Sequence, residues 1–482
     1  MNTLTFSSIK KNPGVLLDLS RKLVDYLIAT TRDQSVLGEY LDLSTGRNFG
    51  KAMINDFGDS LPFVYWLGDL SSQPSYQRWA MTKADYILRH FQASHGLFFT
   101  SADSRSRYHP SFVSVFDADD LSDTILGINL LYQLSNNTAY LQPSVRFFEG
   151  FQRYLVSSRG YVFFKVVVPP GLPVPFSTGK FAGLYIEELL QLYFFTKDQR
   201  YLALAKRLAM PWLQLPFFQK YGLFPFVCTS KLLQPLLEPV FAARTGFRFD
   251  TAMMTKSNTN LVSALIRLSS VAPDPRISTA LNHWKTAVGE KLLTPQHTLT
   301  AIWSPHKTYN VNYCGSDHAV IDCLTEMFVR GGDRSALALA ETIAQGWMAT
   351  ISEKGLISEV VSDYDTGSLH PRMLNPAMGK RGISRLDTHT DFGVVLLKLY
   401  ETTRNEHYLK AVFTLLQGVL QSHRFCQGYA EYVNIATGEP ISLVIETKML
   451  FLLTKFFNLF YSTLRGEHIL KNRLLQDITR DR

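Results

Sequence analysis

Cysteine is scarce: the 482 residues hold four, Cys228, Cys314, Cys323 and Cys426. None forms a Cys-x-x-Cys pair or stands beside a histidine, so neither a structural zinc site nor a small disulfide scaffold is spelled out. Long apolar runs are missing too. The most apolar late stretch, Ile445 to Tyr461, carries Glu446, Lys448, Lys455 and Asn458, too short and too charged to cross a bilayer. No continuous apolar segment of the secretory kind follows Met1. These absences predict a cytoplasmic protein with no integral membrane segment, no cofactor and no metal. The net charge of +8 is spread without any run of five or six lysines or arginines, which favours a solvated surface over a nucleic-acid site. A Gly-rich phosphate loop, a dinucleotide fingerprint, a nucleophile elbow and HExxH are all absent, which disfavours kinases, dehydrogenases, esterases and zincins.

A repeat is present. Each unit opens on a polar cluster and continues as an apolar helix of roughly four turns. A short polar turn and an amphipathic helix follow, and a Gly-aromatic extended piece closes the unit. DFGDSLPFVYWLGDL from Asp56 leads to SYQRWAMTKADYILRHF and HGLFFT. DDLSDTILGINLLYQLSNNTAYLQ from Asp119 leads to RGYVFFK, and FAGLYIEELLQLYFFTKDQRYLALAKRLA from Phe181 leads to YGLFPFV. Further copies start at Ser257, Gly315 and Leu386, the last two closing on KGLISEVV and QGYAEYV. A final apolar helix starts at Ser442, and the opening helix, about Gly14 to Thr31, is a candidate partner that closes the circle. Apolar helices belong inside and amphipathic ones outside. The predicted fold is an all-α (α/α) toroid of six to seven helical hairpins. It forms one domain over residues 1–482, with 1–50 as lead-in and 462–482 as tail.

Inner-to-outer connections are short and outer-to-inner connections long, so the long loops gather on the face where inner helices begin. Function concentrates on such loops. The inner starts there carry Asp56 and Asp59; Asp117, Asp119, Asp120 and Asp123; Tyr185, Glu187 and Glu188; Asn258 and Asn260; Asp317 and His318; Asp387, His389 and Asp391; and Glu446. Helix capping accounts for one such residue per helix. The clusters at 117–123 and 387–391 exceed that.

A ring of carboxylates at the mouth of an α/α toroid resembles the six-hairpin glycosidase superfamily and its seven-hairpin relatives, which also include sugar epimerases. HTDFGVVLLKLYETTRNEHY, from His389 to Tyr408, is similar to the inner-helix–turn–outer-helix unit of those families. The resemblance is one of architecture, carried by no family-specific signature. It implies a small-molecule or oligosaccharide substrate and two carboxyl groups on different inner helices, one donating a proton and one activating water or attacking the anomeric carbon. The candidates are Asp387, Asp391 and Asp317, then Asp120, Asp59 and Glu187. His318 and His389, each after an acid at an inner start, are the pair a sugar epimerase or isomerase would use. Arg372, Arg381 and Arg385 near the acids suggest a clamp for an acidic saccharide, or neutralisation of those acids. Trp303, Tyr309, Tyr313 and Tyr185 are candidate sugar-stacking rings, or pins for long loops.

Three other readings compete. Asp117-Ala118-Asp119-Asp120 is a DxDD, similar to the proton-donor motif of class II terpene cyclases, with Asp119 as donor. The following Leu121-Ser122 and the missing Gln-Trp repeats depart from that pattern. Tyr313-Cys314-Gly315 matches only a fragment of a lanthionine-cyclase zinc site. A non-catalytic toroid would bind a glycan or protein. No ligand spacing calls for a divalent ion, and the oligomeric state is not readable.

Overall fold

The computed structural model describes residues 4–100, 114–174, 176–229, 234–245, 248, 251–306, 312–361 and 381–467. Fourteen helices of these residues build the ring. They are α1 (Gly14–Thr30), α2 (Leu61–Ser71), α3 (Pro74–Phe91), α4 (Ala118–Ser135), α5 (Thr138–Tyr154), α6 (Gly179–Thr196) and α7 (Gln199–Leu213), followed by α8 (Thr255–Val271), α9 (Pro275–Ala287), α10 (Cys314–Gly331), α11 (Arg334–Met348), α12 (Leu386–Thr403), α13 (Glu406–Gly418) and α14 (Lys448–Leu464). The even-numbered helices touch one another in sequence, and α14 returns to α2, closing an inner ring of seven. Each packs on the odd-numbered helix that follows it, and α14 packs on α1. The ring therefore has seven hairpins, and the opening helix is the outer partner of the last inner one.

Local chemistry sets the short turns. α4, α6, α10 and α12 end on Asn136, Lys197, Gly332 and Arg404 in left-handed backbone, and the next residue caps the outer helix. Asn137, Asp198, Asp333 and Asn405 each accept a hydrogen bond from the N–H two residues on. That Asx cap satisfies one orphan donor of the helix. Tyrosine at the third position of outer helices ties the outer ring together. Tyr76 donates to Asp25 at 2.8 Å, Tyr140 to Asp85 at 3.2 Å and Tyr408 to Glu341 at 3.0 Å, each on the preceding outer helix.

At the opposite, long-loop end the extended pieces pair. The strand entering an inner helix runs antiparallel to the strand that follows the next outer helix, as Ser114–Asp117 does with Lys165–Val168, Met253–Met254 with Ile302–Trp303, and Ile383–Arg385 with Tyr432–Asn434. Val444–Glu446 pairs with Gly38–Asp42 in the same way across the closure. First-turn N–H groups thereby find carbonyls: Cys314 donates to Glu359 at 3.0 Å, Leu386 to Glu431 at 2.9 Å and Thr447 to Glu39 at 2.8 Å. The small sheets are an addition to the all-helical expectation, forced by the need to satisfy backbone groups at buried helix starts.

After each outer helix the chain reverses tightly against the outer helix of the next unit. Gly355, at φ +73°, sits so near that a Cβ would meet the Thr414 carbonyl at 2.2 Å, and Gly160, at φ +88°, meets Arg207 in the same manner. Gly355→Val should lower stability by about 2–4 kcal/mol, from backbone strain plus overlap. Chemical denaturation measures it, and an unchanged midpoint would refute the packing.

The inner helices are not apolar all round, as the sequence suggested. A stripe on each faces the lumen, spaced four, three and four residues apart. It reads Lys180, Leu184, Glu187 and Gln191 on α6, and Lys256, Asn260, Ser263 and Arg267 on α8; none of these is buried, while their neighbours on the other faces are. Asp387 and Asp391 begin the stripe of α12, and His318 and Asp322 that of α10. Among the described residues no helix is long and apolar enough to cross a membrane. All four cysteines are free, with only Cys426 exposed.

A carboxylate-lined mouth as candidate active site

Arg385 ends the strand leading into α12 and is the hub of the mouth. It pairs with Asp387 at 3.0 Å, Glu431 at 2.9 Å and Glu446 at 3.6 Å. Lys448, first residue of α14, joins Glu446 at 3.3 Å and Asp56 at 3.0 Å. The hub thus links the starts of α12, α14 and α2. Arg385 neutralises local acids here, which leaves it no free fork for a substrate carboxylate.

Glu359 lies beside this network on the extended piece that follows α11, its carbonyl accepting from the Cys314 N–H at the start of α10. Its side chain is fully buried, and neither carboxyl oxygen has a hydrogen-bond partner. Burial, then the nearby charge of Asp387, pushes it up to about 7, against the pull of Arg385 and Lys256. A buried carboxyl without partners is costly to the fold, and a carboxyl poised near neutrality suits proton donation.

Deeper in the lumen, His318 Nε2 stands 3.7 Å from Asp391 Oδ2, and 34% of the Asp391 side chain is open. Burial raises Asp391 and lowers His318. Asp123 of α4 faces Asp59; burial and then Asp59 hold it well above the usual carboxylate range. Asp120 accepts from Thr100 at 3.1 Å, and burial followed by Asp117 pushes it up to about 6. The mouth therefore brings together Asp59, Asp120, His318, Asp387, Asp391 and Arg385 from the sequence candidates, with Glu359 and Glu431 added.

Other candidates lie elsewhere. Asp317 is fully buried on the far side of its helix. Its Oδ2 accepts from the Leu299 N–H at 2.7 Å and from the Trp347 indole at 2.7 Å. His389 is likewise fully buried, with Nε2 2.6 Å from Ser384 Oγ and 3.4 Å from the Ile357 N–H. Asp317 and His389 are each the fourth residue of their helix. So is Asn258 in α8, which accepts from the Phe224 N–H at 2.7 Å. This fourth position clamps a neighbouring reversal. His389 is thus the counterpart of Asp317, not of His318, and the expected histidine pair is not assembled in the lumen.

Tyr185 is fully buried, donating to the Ala118 carbonyl at 2.7 Å and lying 4.1 Å from Phe151, so it is a core ring. Trp303 packs edge-on to Tyr221 at 5.3 Å and pins its loop. Tyr313 is buried at the start of α10, its ring covering Gly315. Glu187 pairs with Arg267 at 2.5 Å, lower in the lumen. Arg381 is exposed. Tyr309 and Arg372 lie outside the described residues. In the DxDD, Asp117 caps α4 through the Asp119 N–H at 2.9 Å, and Asp119 pairs with Lys180 at 2.6 Å. An ion-paired, open Asp119 above a charged lumen does not make an alkene-protonating acid. Among the described residues no group of three or more His, Cys, Asp or Glu is arranged to hold a metal ion.

Glu359 and Glu431 went unread because they sit on extended pieces, not helix starts. A signal existed: KGLISEVV and QGYAEYV each carry a glutamate shortly after the Gly-aromatic reversal.

No protein-family model matches the chain, and no curated protein matches its sequence. Solved structures do match in shape. The α-1,2-mannosidase from Trichoderma reesei superposes with a TM-score of 0.64 at 11% identity, covering 93% of each chain. Cellobiose 2-epimerase from Bacillus thermoamylovorans gives 0.57 at 14%, over 77% of this chain and 94% of that one. A family 76 α-mannanase of Bacteroides thetaiotaomicron gives 0.51 at 12%, over 94% and 99%. The chain therefore has, at the level of architecture, the α/α-toroid fold of the six-hairpin glycosidase-like enzymes.

Proposed function

We propose that the chain is a carbohydrate-active enzyme, a glycoside hydrolase, with Glu359 as proton donor and Asp387 as its partner carboxylate. The observation that carries this is the unpartnered Glu359 carboxyl beside an ion-paired Asp387. Two neighbouring carboxyls in contrasting environments divide the labour of glycoside cleavage. Glu359 gives its proton to the departing glycosidic oxygen. Asp387, held in place by Arg385, takes a proton from the water whose oxygen bonds to the anomeric carbon as the glycosidic C–O bond breaks. Asp391, His318, Asp59 and Asp123 supply hydrogen-bonding groups for sugar hydroxyls. Because Arg385 is engaged by three carboxylates, neutral saccharides come before acidic ones as substrates.

A sugar epimerase or isomerase is the second reading, favoured by His318 beside Asp391 in the open lumen. One assay separates the two. Wild type and Asp387→Asn are incubated with neutral manno- and gluco-oligosaccharides and uronate oligosaccharides, and products are resolved by chromatography. Shorter saccharides from wild type, reduced at least 100-fold in Asp387→Asn, are expected. Epimerised products of unchanged length establish the second reading. Uncleaved, unchanged saccharides across the set refute both.

A further inference from the structure

The two reacting carboxyls are held unequally. Asp387 is gripped at its tip by Arg385 at 3.0 Å. Neither oxygen of Glu359 has a hydrogen-bond partner, so its backbone alone sets its place. That backbone leans on the strand that ends in Arg385. The Glu359 N–H donates to the Ile383 carbonyl at 3.0 Å, and the Gly382 N–H donates to Ser358 Oγ at 3.2 Å. Two residues before Glu359, the Ile357 N–H donates to His389 Nε2 at 3.4 Å.

His389 is one of three polar side chains behind this contact. Ser384 Oγ lies 2.6 Å from His389 Nε2 and 3.4 Å from His423 Nε2, and the two imidazole centres are 5.1 Å apart. All three side chains are fully buried, so none of them touches a substrate. In three other units the place of His423 is apolar. There the N–H beyond the reversal donates to the carbonyl that ends the outer segment: Phe99 to Phe91, Phe163 to Leu155 and Thr300 to Leu292. Ala430 donates to His423 in the same way. A buried imidazole has thus replaced a buried apolar side chain in the unit that abuts Glu359.

The hydrogens in this cluster are counted from its partners. Burial lowers both histidines, His423 to about 4 against the pull of the Ala430 carbonyl and Asp387, so both are neutral at pH 7. His423 Nδ1 lies 2.8 Å from the Ala430 carbonyl and carries its hydrogen there, which leaves Nε2 an acceptor. His389 Nε2 receives the Ile357 N–H and is an acceptor too. The single hydroxyl hydrogen of Ser384 therefore serves two imidazoles. It couples the Arg385 strand, the start of α12 and the segment after α13 to the backbone that carries Glu359.

We propose that Ser384, His389 and His423 are positioning residues for the reaction, fixing the Glu359 backbone relative to the Arg385–Asp387 pair. The inference rests on the reading of Glu359 and Asp387 as the reacting carboxyls. A displacement of about 1 Å at a reacting group lowers the rate by about 100-fold.

The test measures kcat, KM and melting temperature for wild type, His423→Leu, Ser384→Ala and the double variant, on a saccharide that wild type cleaves. Leucine fills this place in two other units, so His423→Leu should fold. Its kcat per folded molecule should fall about 10- to 100-fold, with KM within about twofold of wild type. Ser384→Ala removes one oxygen and should show the same split without the loss of a ring. The double variant should be no slower than the slower single variant, because the side chains act as one unit. Single variants that fold and keep wild-type kcat would overturn the inference and leave the hydrolase reading standing. Losses that multiply in the double variant, or a change confined to KM, would overturn it as well. No turnover by wild type on any saccharide removes the hydrolase reading, and the positioning role with it.

Discussion

Glu359→Gln is expected to lower turnover by about 10²–10⁴-fold while leaving the protein at least as stable as the parent. Glutamine keeps the shape of the side chain and cannot donate the proton. The stability side follows from linkage. The carboxyl is fully buried without a partner, and its folded value of about 7 lies above the ordinary 4.5. Between those values the unfolded chain has released the proton and the folded chain still holds it, so the native state loses stability as pH rises through 4.5 to 7. Above 7 the loss is complete, with an upper bound on the order of 3 kcal/mol. Glutamine does not titrate. The variant's gain in melting temperature should therefore grow from pH 4.5 to 7 and level off beyond. Melts at pH 4.5, 6 and 8 alongside initial rates measure both effects. A variant with full activity would strike Glu359 from the mechanism, and one destabilised at pH 8 would show that the carboxylate has partners after all. A residue whose removal strengthens the fold and abolishes the reaction is held for function.

Asp317→Ala should do the reverse, costing about 2–5 kcal/mol of stability while sparing the chemistry of whatever folds. Its Oδ2 receives both the Leu299 N–H and the Trp347 indole N–H, and Oδ1 receives the Ser316 hydroxyl at 3.2 Å. Alanine strands buried donors, the expensive half of losing a hydrogen bond. Asp317→Asn offers its one oxygen to the first two donors and should stay within about 1 kcal/mol of the parent. Urea denaturation ranks the pair, and kcat per folded molecule should match wild type in both. A selective loss of kcat in Asp317→Asn would return Asp317 to the active site.

These two acids show what the sequence could and could not reveal. Six and seven hairpins are told apart only by the packing of α14 on α1 and α2. The closing role of Gly14–Thr30 and the division into a short-turn and a long-loop face follow from hydrophobic period and loop length. Those signals are repeated seven times and survive local noise. The facing of a polar residue at a helix start is subtler. Asp317 and His318 are adjacent, yet one residue turns a helix by about 100°. Asp317 therefore clamps a neighbouring reversal, and His318 looks into the lumen. Read as text, both are polar groups near an N-terminus. The equation of His318 with His389 failed by that same single step. Tyr185 failed for another reason: its hydroxyl is satisfied by a backbone carbonyl in the core, which composition does not announce. Glu359 was missed because attention to helix starts passed over the strands that satisfy them.

The central claim is that the mouth of this ring binds a saccharide among its carboxylates. The most direct measurement is thermal stabilisation by saccharides, run on wild type, Glu359→Gln, Asp391→Asn and Asp317→Asn. A ligand at a hundred times its Kd stabilises by about 2.7 kcal/mol. Stabilisation of wild type, Glu359→Gln and Asp317→Asn, with loss of the effect in Asp391→Asn, is the predicted result. Stabilisation by prenyl diphosphate with Mg²⁺ and by no saccharide, or a saccharide effect untouched by Asp391→Asn, would contradict it.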